Sequence, residues 1–151
     1  MADRLRSIVT YLAAFESLGF KFGVWRTPPA SRQGVIDLPY FATNEAVSAF
    51  IEAAYHNNWV AADFDWPEWT QTQEAKDLRD DPEALARANP EQISRLLTVC
   101  IREDRFCEGA LQASYESGLL TRILKRSAAI LREIEAEVPA DAGRPTKAAS
   151  E

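Results

Sequence analysis

The chain has 151 residues, 46% of them hydrophobic, which fits one globular domain with a core of its own. Its net charge of −6 argues against general nucleic-acid binding, because such binding depends on basic side chains that contact phosphates. No apolar run reaches the roughly 18 to 20 residues that span a membrane, and the first twenty or so residues lack the pattern of a secretory signal. We therefore expect a cytoplasmic protein without membrane contact.

The first part of the chain predicts a helix, two strands and a second helix. Residues 4–18 carry apolar side chains at helical spacing, with Asp3 as a candidate N-cap. The aromatic and β-branched segments FKFGVWR and GVIDLPYFA flank a loop-forming stretch, so we expect an antiparallel pair of strands. Thr43 or Asn44 should cap the next helix. The following segment, WVAADFDW, is compatible with a third short strand before Pro67.

The second part of the chain predicts helices only. A weakly patterned helix over 68–79 precedes two starts of the Asp-Pro and Asn-Pro type, at Asp81 and Asn89. Further helical stripes cover 106–115 and the stretch after Gly118. The prediction is an α+β fold, predominantly α-helical, with five to six helices packed on a two- or three-stranded antiparallel sheet.

The end of the chain differs in composition from the rest. Residues 139–151 have no apolar periodicity and are rich in alanine and polar residues. Such a segment cannot bury enough apolar surface to offset the entropy of ordering it. We predict a single domain over residues 1–138 and a disordered tail over 139–151.

The residues that usually bind metals or cofactors are sparse. Cys100 and Cys107 are seven residues apart, about 10 Å on a helix, which is too far for a disulfide. We therefore expect two free, buried thiols. The single histidine, His56, is distant from both in sequence, so no zinc spacing exists. Phosphate-binding glycine loops and the G-x-S-x-G nucleophile motif are also absent. We expect no metal and no cofactor, and the missing motifs favour a non-enzymatic role over an enzyme.

An unusual acidic and aromatic segment, DFDWPEW, begins at residue 63. It could form the edge of a binding groove, supply catalytic acids, or hold a loop against the core. We hypothesise that Asp65 or Glu68 forms an ion pair with Arg102 or Arg105 and so fixes this loop to the later helices. The same contact would lie at the edge of any groove between sheet and helices.

The four tryptophans have two readings. Aromatic residues on short strands usually pack in the core between sheet and helices, so we expect Trp25 and Trp59 to be buried. Trp66 and Trp69 are placed equally well in the core or along a stacking groove for a base or a sugar.

A second polar cluster lies in residues 100–120. At helical spacing Arg105 can pair with Glu108, whereas Asp104 and Glu108 are like charges four residues apart. Two close carboxylates raise one pKa, which is one way to make a general acid. Neighbouring arginines favour ordinary ion pairs over that catalytic reading. The binding candidates from both segments are Asp65, Trp66, Glu68, Trp69, Arg102, Arg105, Glu108 and Glu116.

The strings FDWPEW, LLTVCIREDRFCEGAL and ESGLLTRILKR resemble a family of uncharacterised bacterial proteins known as a domain of unknown function. The pattern R-x-D-R-F-C-E-G-x-L followed by E-S-G carries the resemblance, which extends from about Leu5 to Leu131. Members of that family often have a histidine after the E-G pair, where this chain has Ala110. The resemblance implies a shared fold and brings no mechanism with it.

Three classes of function fit the sequence. We favour a non-enzymatic binding or regulatory domain that acts through a protein partner. One alternative is a small-molecule binder or enzyme with an acidic and aromatic groove around Asp65, Trp66, Arg105 and Glu108. Another is an acidic mimic of nucleic acid, because residues 63–91 hold nine acids and three bases. The sequence does not predict the oligomeric state.

Overall fold

A computed structural model describes residues 1–29, 33–34 and 38–138, and it confirms the predominantly helical α+β fold. The helical segments in these ranges are α1 (Ala2–Val9), α2 (Leu12–Phe15), α3 (Glu45–His56), α4 (Trp66–Trp69), α5 (Gln73–Asp80), α6 (Pro82–Ala86), α7 (Pro90–Glu103), α8 (Ala110–Glu116) and α9 (Leu119–Glu137). The strands are β1 (Gly23–Arg26) and β2 (Tyr40–Thr43). The predicted tail lies outside the described residues.

Side-chain caps set several of the helix starts, as predicted. Asn44 Oδ1 accepts a hydrogen bond from Ala46 N at 2.9 Å and begins α3. Asn89 caps α7, and Gln92 returns the bond in a full capping box. The prediction for Asp3 was wrong, since α1 begins at Ala2 with Met1 at the N-cap position. Asp3 lies instead in the first turn, where a carboxylate interacts favourably with the helix dipole.

Three predicted helices are shorter or divided. The helix over 4–18 is interrupted by a turn at Thr10 and Tyr11, and the helix over 68–79 is divided into α4 and α5. Thr72 causes the second division, because its hydroxyl accepts from Ala75 N at 3.2 Å and starts a new helix. The third, over 106–115, begins only at Ala110.

The sheet is a two-stranded antiparallel ribbon. Val24 pairs with Ala42 and Trp25 with Phe41. The expected third strand within WVAADFDW does not form. That segment is held against α7 by side chains instead, since Thr98 Oγ1 accepts from Ala61 N at 2.9 Å. The backbone N–H of Ala61 therefore bonds to a side chain and not to a neighbouring strand.

The core is built around α9, which packs against α1, α2, α6, α7 and α8. Fully buried side chains such as Leu5, Phe50, Leu97 and Ile123 fill it. No helix in the described ranges is long and apolar enough to cross a membrane.

The tryptophans differ in burial. Trp59 is fully buried as predicted, and its indole Nε1 donates to Arg4 O at 2.9 Å. The prediction for Trp25 was wrong, because its side chain is 64% exposed. A two-stranded ribbon has no further strand or helix to cover this end of its surface.

Candidate functional site

The DFDWPEW segment forms a short helix whose two tryptophans have different environments. Asp65 Oδ1 accepts from Glu68 N at 3.1 Å, and Pro67 follows inside the first turn of α4. Trp69 is 8% exposed, and its Nε1 donates to Glu74 Oε1 at 3.0 Å. Trp66 is only half-buried. The segment is thus anchored by Trp69 and presents Trp66 at the surface.

The ion pair that holds this segment uses a different arginine from the predicted ones. Arg95 on α7 contacts Glu74 at 3.2 Å and Glu91 at 2.7 Å. Its guanidinium also lies over the ring of Phe64, with 5.7 Å between Cζ and the ring centroid. Glu74 links Arg95 on α7 to Trp69 on α4, because its Oε1 accepts hydrogen bonds from both side chains.

The predicted pairs between Asp65 or Glu68 and Arg102 or Arg105 are not formed among the residues that the structure describes. Asp65 is occupied as the N-cap of α4. Arg105 instead lies over the ring of Tyr55 at 5.4 Å. The hypothesis of a contact from α4 to these arginines was wrong.

The motif R-x-D-R-F-C-E-G-x-L forms a turn between α7 and α8. Asp104 Oδ1 accepts from Gly109 N and from Leu111 N, each at 3.1 Å. Gly109 has φ of 95°, a conformation that favours glycine. Because this stretch is a turn, Arg105 and Glu108 do not form the predicted helical ion pair. The aspartate, glycine and leucine of the motif therefore have structural roles.

Two polar atoms near this turn are buried without a described partner, whereas the two glutamates of the motif lie at the surface. Arg102 Nε and Tyr55 Oη are buried without a hydrogen-bond partner among the described residues. Glu108 is exposed, and Glu116 accepts from Gln112 Nε2 at 2.9 Å on the surface of α8. Sequence alone gave no indication of this difference in burial.

The two thiols also differ. Cys107 is exposed, so the prediction that both are buried was wrong for it. Cys100 is buried in α7, and burial raises the pKa of its thiol to about 11. A hydrogen bond with Ser114 opposes this effect but is smaller. At neutral pH Cys100 is therefore a protonated thiol and a poor nucleophile.

A cavity of about 380 Å³ lies beside Trp66. Its size is near the lower end of ligand pockets, about 300 to 1,000 Å³. Five helices contribute to its wall: α4, α5, α7, α8 and α9. We call it the Trp66 cleft and define it by its lining residues, which are Trp66, Thr70, Gln71, Lys76, Arg79, Val99, Cys100, Glu103, Ser114 and Leu119.

The Trp66 cleft combines a flat aromatic wall with charged groups. Lys76 and Arg79 are three residues apart on α5, so they share one face of that helix. Arg79 is bound to Asp80, with Nε to Oδ1 at 2.9 Å and Nη2 to Oδ2 at 3.0 Å. This hydrogen bonding raises the pKa of Arg79 and lowers that of Asp80. Lys76 has no carboxylate partner in the described part of the chain.

Of the eight candidate residues, the Trp66 cleft includes Trp66 alone. Sequence reasoning missed the residues opposite it, chiefly Lys76, Arg79, Glu103 and Ser114. The spacing of Lys76 and Arg79 was a usable signal, but α5 had too weak an apolar pattern to show which face would turn inward. Within the described residues there is no group of three or more His, Cys, Asp or Glu side chains that could hold a metal ion.

Comparison with known proteins gives a family and no activity. A model described as a family of unknown function, DUF6508, matches residues 1–133. No curated protein matches the chain, and no solved structure does. Since the matched region includes every described helix except the end of α9, the chain belongs to the DUF6508 family of unknown function.

Proposed function

We propose that this domain is non-enzymatic and acts by binding a protein partner, and that the β1–β2 ribbon is its binding surface. The observation that carries the proposal is the exposure of large apolar side chains there: Trp25 is 64%, Leu38 77% and Tyr40 49% exposed. Large exposed apolar side chains often mark a site of protein interaction, and here they lie on both faces of the ribbon, with Trp25 on one and Tyr40 on the other.

The edges of the ribbon support binding of an extended segment. Asn44 N donates to Phe22 O at 2.8 Å, which sets the alternation of inward and outward backbone groups. Hydrogen-bonded and non-bonded pairs alternate along the ribbon, so the backbone N–H and C=O groups of Gly23 and Trp25 point away from β2. Neither has another backbone partner among the described residues. A free strand edge of this kind can pair with an extended peptide from another protein.

The charges along β1 indicate what kind of segment would fit. Arg26 is exposed at the end of β1 and Lys21 two residues before its start, and both line a groove of about 360 Å³ that Glu45 also lines. Neither has a carboxylate partner in the described ranges. We infer that the occupant is an extended segment with alternating apolar side chains and acidic residues.

Selection from a displayed dodecapeptide library tests this proposal. Peptides enriched on the parent protein should alternate apolar and polar residues and contain acids. Trp25→Ala should weaken their binding about tenfold or more, as for a buried aromatic anchor. Phe106→Ala is the matched control, since it also removes an exposed aromatic ring but one that contacts Trp66.

The same peptides can test strand pairing directly. Methylation of alternate backbone nitrogens should abolish binding when it removes the amides that face β1 and should have little effect in the other register. Peptides that bind the Trp25→Ala variant as well as the parent would overturn the proposal. So would binding that is insensitive to methylation in both registers.

One observation favours the acidic-mimic alternative. All nine acids of residues 63–91 are exposed. Only Glu74, Asp80 and Glu91 form ion pairs with described residues. A mimic should bind a basic DNA-binding protein with an affinity that falls steeply between 50 and 200 mM salt, in the way that DNA itself does, roughly 10³- to 10⁵-fold for six to ten contacts. Replacement of Asp77 and Glu83 by their amides should then reduce the salt dependence.

A further inference from the structure

We infer that the Trp66 cleft is a binding site for a small planar ligand that carries one anionic group. This inference is independent of the proposed ribbon surface, which uses different residues. It rests on a cavity of about 380 Å³ that combines an indole, the cationic side chains of Lys76 and Arg79, one carboxylate (Glu103) and several neutral polar groups.

The indole of Trp66 is held in position from outside the cleft. Its ring lies 6.1 Å from that of Phe106, with an angle of 34° between the planes. Phe106 is itself 82% exposed, so it contributes little to the core and supports Trp66. Within α4 itself, the N-cap at Asp65 and the buried Trp69 fix the backbone. A rigid indole is suited to stacking against a flat ring at little cost in side-chain entropy.

The cationic wall indicates an anionic group on the ligand. Lys76 has no carboxylate partner among the described residues, and it lines the cleft beside Arg79. Arg79 is restrained by its two bonds to Asp80, which fixes the direction of its guanidinium. A carboxylate or phosphate that reaches both would make charge-assisted hydrogen bonds. Asp80 and Glu103 both act on Arg79, so Lys76 is the cationic residue of the lining whose charge remains available for the ligand.

The other lining groups would orient the planar ring. Glu103 can accept from a ring N–H, and Thr70 or Gln71 can bond to an edge of the ring. Val99 and Leu119 provide apolar contact. Because Cys100 is protonated at neutral pH, it serves as a neutral part of the wall and not as a nucleophile. The arrangement is one for binding and not for covalent chemistry.

Two kinds of ligand share this chemistry: aromatic carboxylates and nucleoside monophosphates. Titration of the full ¹⁵N-labelled chain can distinguish them with matched pairs, namely 1-naphthoate against 1-naphthol and adenosine monophosphate against adenosine. Inorganic phosphate serves as the anion without a ring. We expect amide shifts around Lys76, Arg79 and Glu103, with the anionic member of one pair binding about tenfold more tightly than its neutral analogue.

Variants assign the two contributions. Lys76→Gln should remove the advantage of the anionic member and leave the neutral one unchanged, whereas Trp66→Leu should weaken both. Lys125→Gln is the charge-matched control, because Lys125 is an exposed lysine on α9 outside the cleft. Absence of shifts at the cleft for both pairs would overturn the inference. So would an equal loss of binding in the Lys76 and Lys125 variants.

Discussion

At the scale of single residues, the turn after α7 contains one charged side chain that stabilises the fold and another that does not. Asp104 accepts two backbone hydrogen bonds, from Gly109 N and Leu111 N. Arg105 is exposed, and its contact in the described structure is with the ring of Tyr55. Both are charged and adjacent in sequence, so their pattern alone does not distinguish them.

We predict opposite outcomes for the two alanine variants. Asp104→Ala should cost about 1 to 3 kcal/mol, because it leaves backbone amides at the start of α8 without their acceptor. In a domain of this size that lowers Tm by roughly 3 to 10 °C. Arg105→Ala should change stability by about 0.5 kcal/mol or less.

Thermal unfolding followed by circular dichroism measures both variants. Asp104→Asn is the control for Asp104→Ala, since its amide oxygen can still accept and should restore part of the loss. An Arg105→Ala variant as destabilised as Asp104→Ala would contradict this account. It would mean that the guanidinium has a buried role that its contacts do not reveal.

Cys100 gives a second prediction at this scale, a dependence of stability on pH. Burial raises its pKa from 9.0 to about 11 in the folded state. Because the pKa is raised in the folded state, the contribution of the Cys100 thiol to stability is fully present below pH 9 and is lost as the pH rises towards 11. At pH 10 the thiol should therefore stabilise the fold by roughly 1 kcal/mol less than at pH 7.5.

Other groups also titrate in this range, so the comparison must be made between proteins. Urea unfolding of the parent and of Cys100→Ala at pH 7.5 and pH 10 isolates the thiol. The gap between their free energies of unfolding should shift by about 1 kcal/mol in favour of the alanine variant at the higher pH. Cys107→Ala, at an exposed position, is the control for loss of a thiol. A constant gap for Cys100→Ala would contradict the assigned pKa.

At the scale of elements, the sequence was most informative where side chains act locally. Asn44, Asp81 and Asn89 cap helices because each carries its acceptor next to the amides it satisfies. The positions of Trp25 and the cleft residues depend on how elements pack together. Local sequence patterns contain little of that information, because elements distant in sequence determine which face of the ribbon or of α5 becomes buried. The sequence therefore predicted Trp66 as a residue of the candidate site but did not predict Lys76.

The ribbon allows a test of its register through one glycine. A Cβ at Gly23 would lie 2.5 Å from Phe41 Cζ and 2.6 Å from Ala42 O. Contacts of this length require backbone movement, so Gly23→Ala should destabilise the fold by about 1 to 3 kcal/mol. Val24→Ala, one residue later on the opposite face of the ribbon, should cost less than about 1 kcal/mol. Hydrogen exchange of the ribbon amides should rise in the first variant alone, and equal protection in both would refute this register.

At the scale of the whole molecule, α9 joins the N-terminal and C-terminal parts of the chain. It packs on α1 and α2 and on α6, α7 and α8, with Leu120, Ile123 and Leu124 fully buried. Arg126 Nε also donates to Ala88 O at 2.9 Å, which fixes the connection between α6 and α7 to α9. Few other elements contact both the N-terminal helices α1 and α2 and the later helices α6 to α8. We therefore expect the unit that unfolds cooperatively to extend to the end of α9.

Truncation tests that boundary and the proposed tail together. A chain ending at residue 138 should unfold within about 2 °C of the full chain, because residues 139–151 have a composition that does not favour burial. A chain ending at residue 118 lacks α9 and should show no cooperative transition, since the buried faces of α1 and α7 lose their partner. Circular dichroism melts of the three proteins measure this. A loss of more than about 5 °C in the 1–138 protein would show that residues 139–151 contribute to the fold, and the domain boundary would then have to be moved towards the C-terminus.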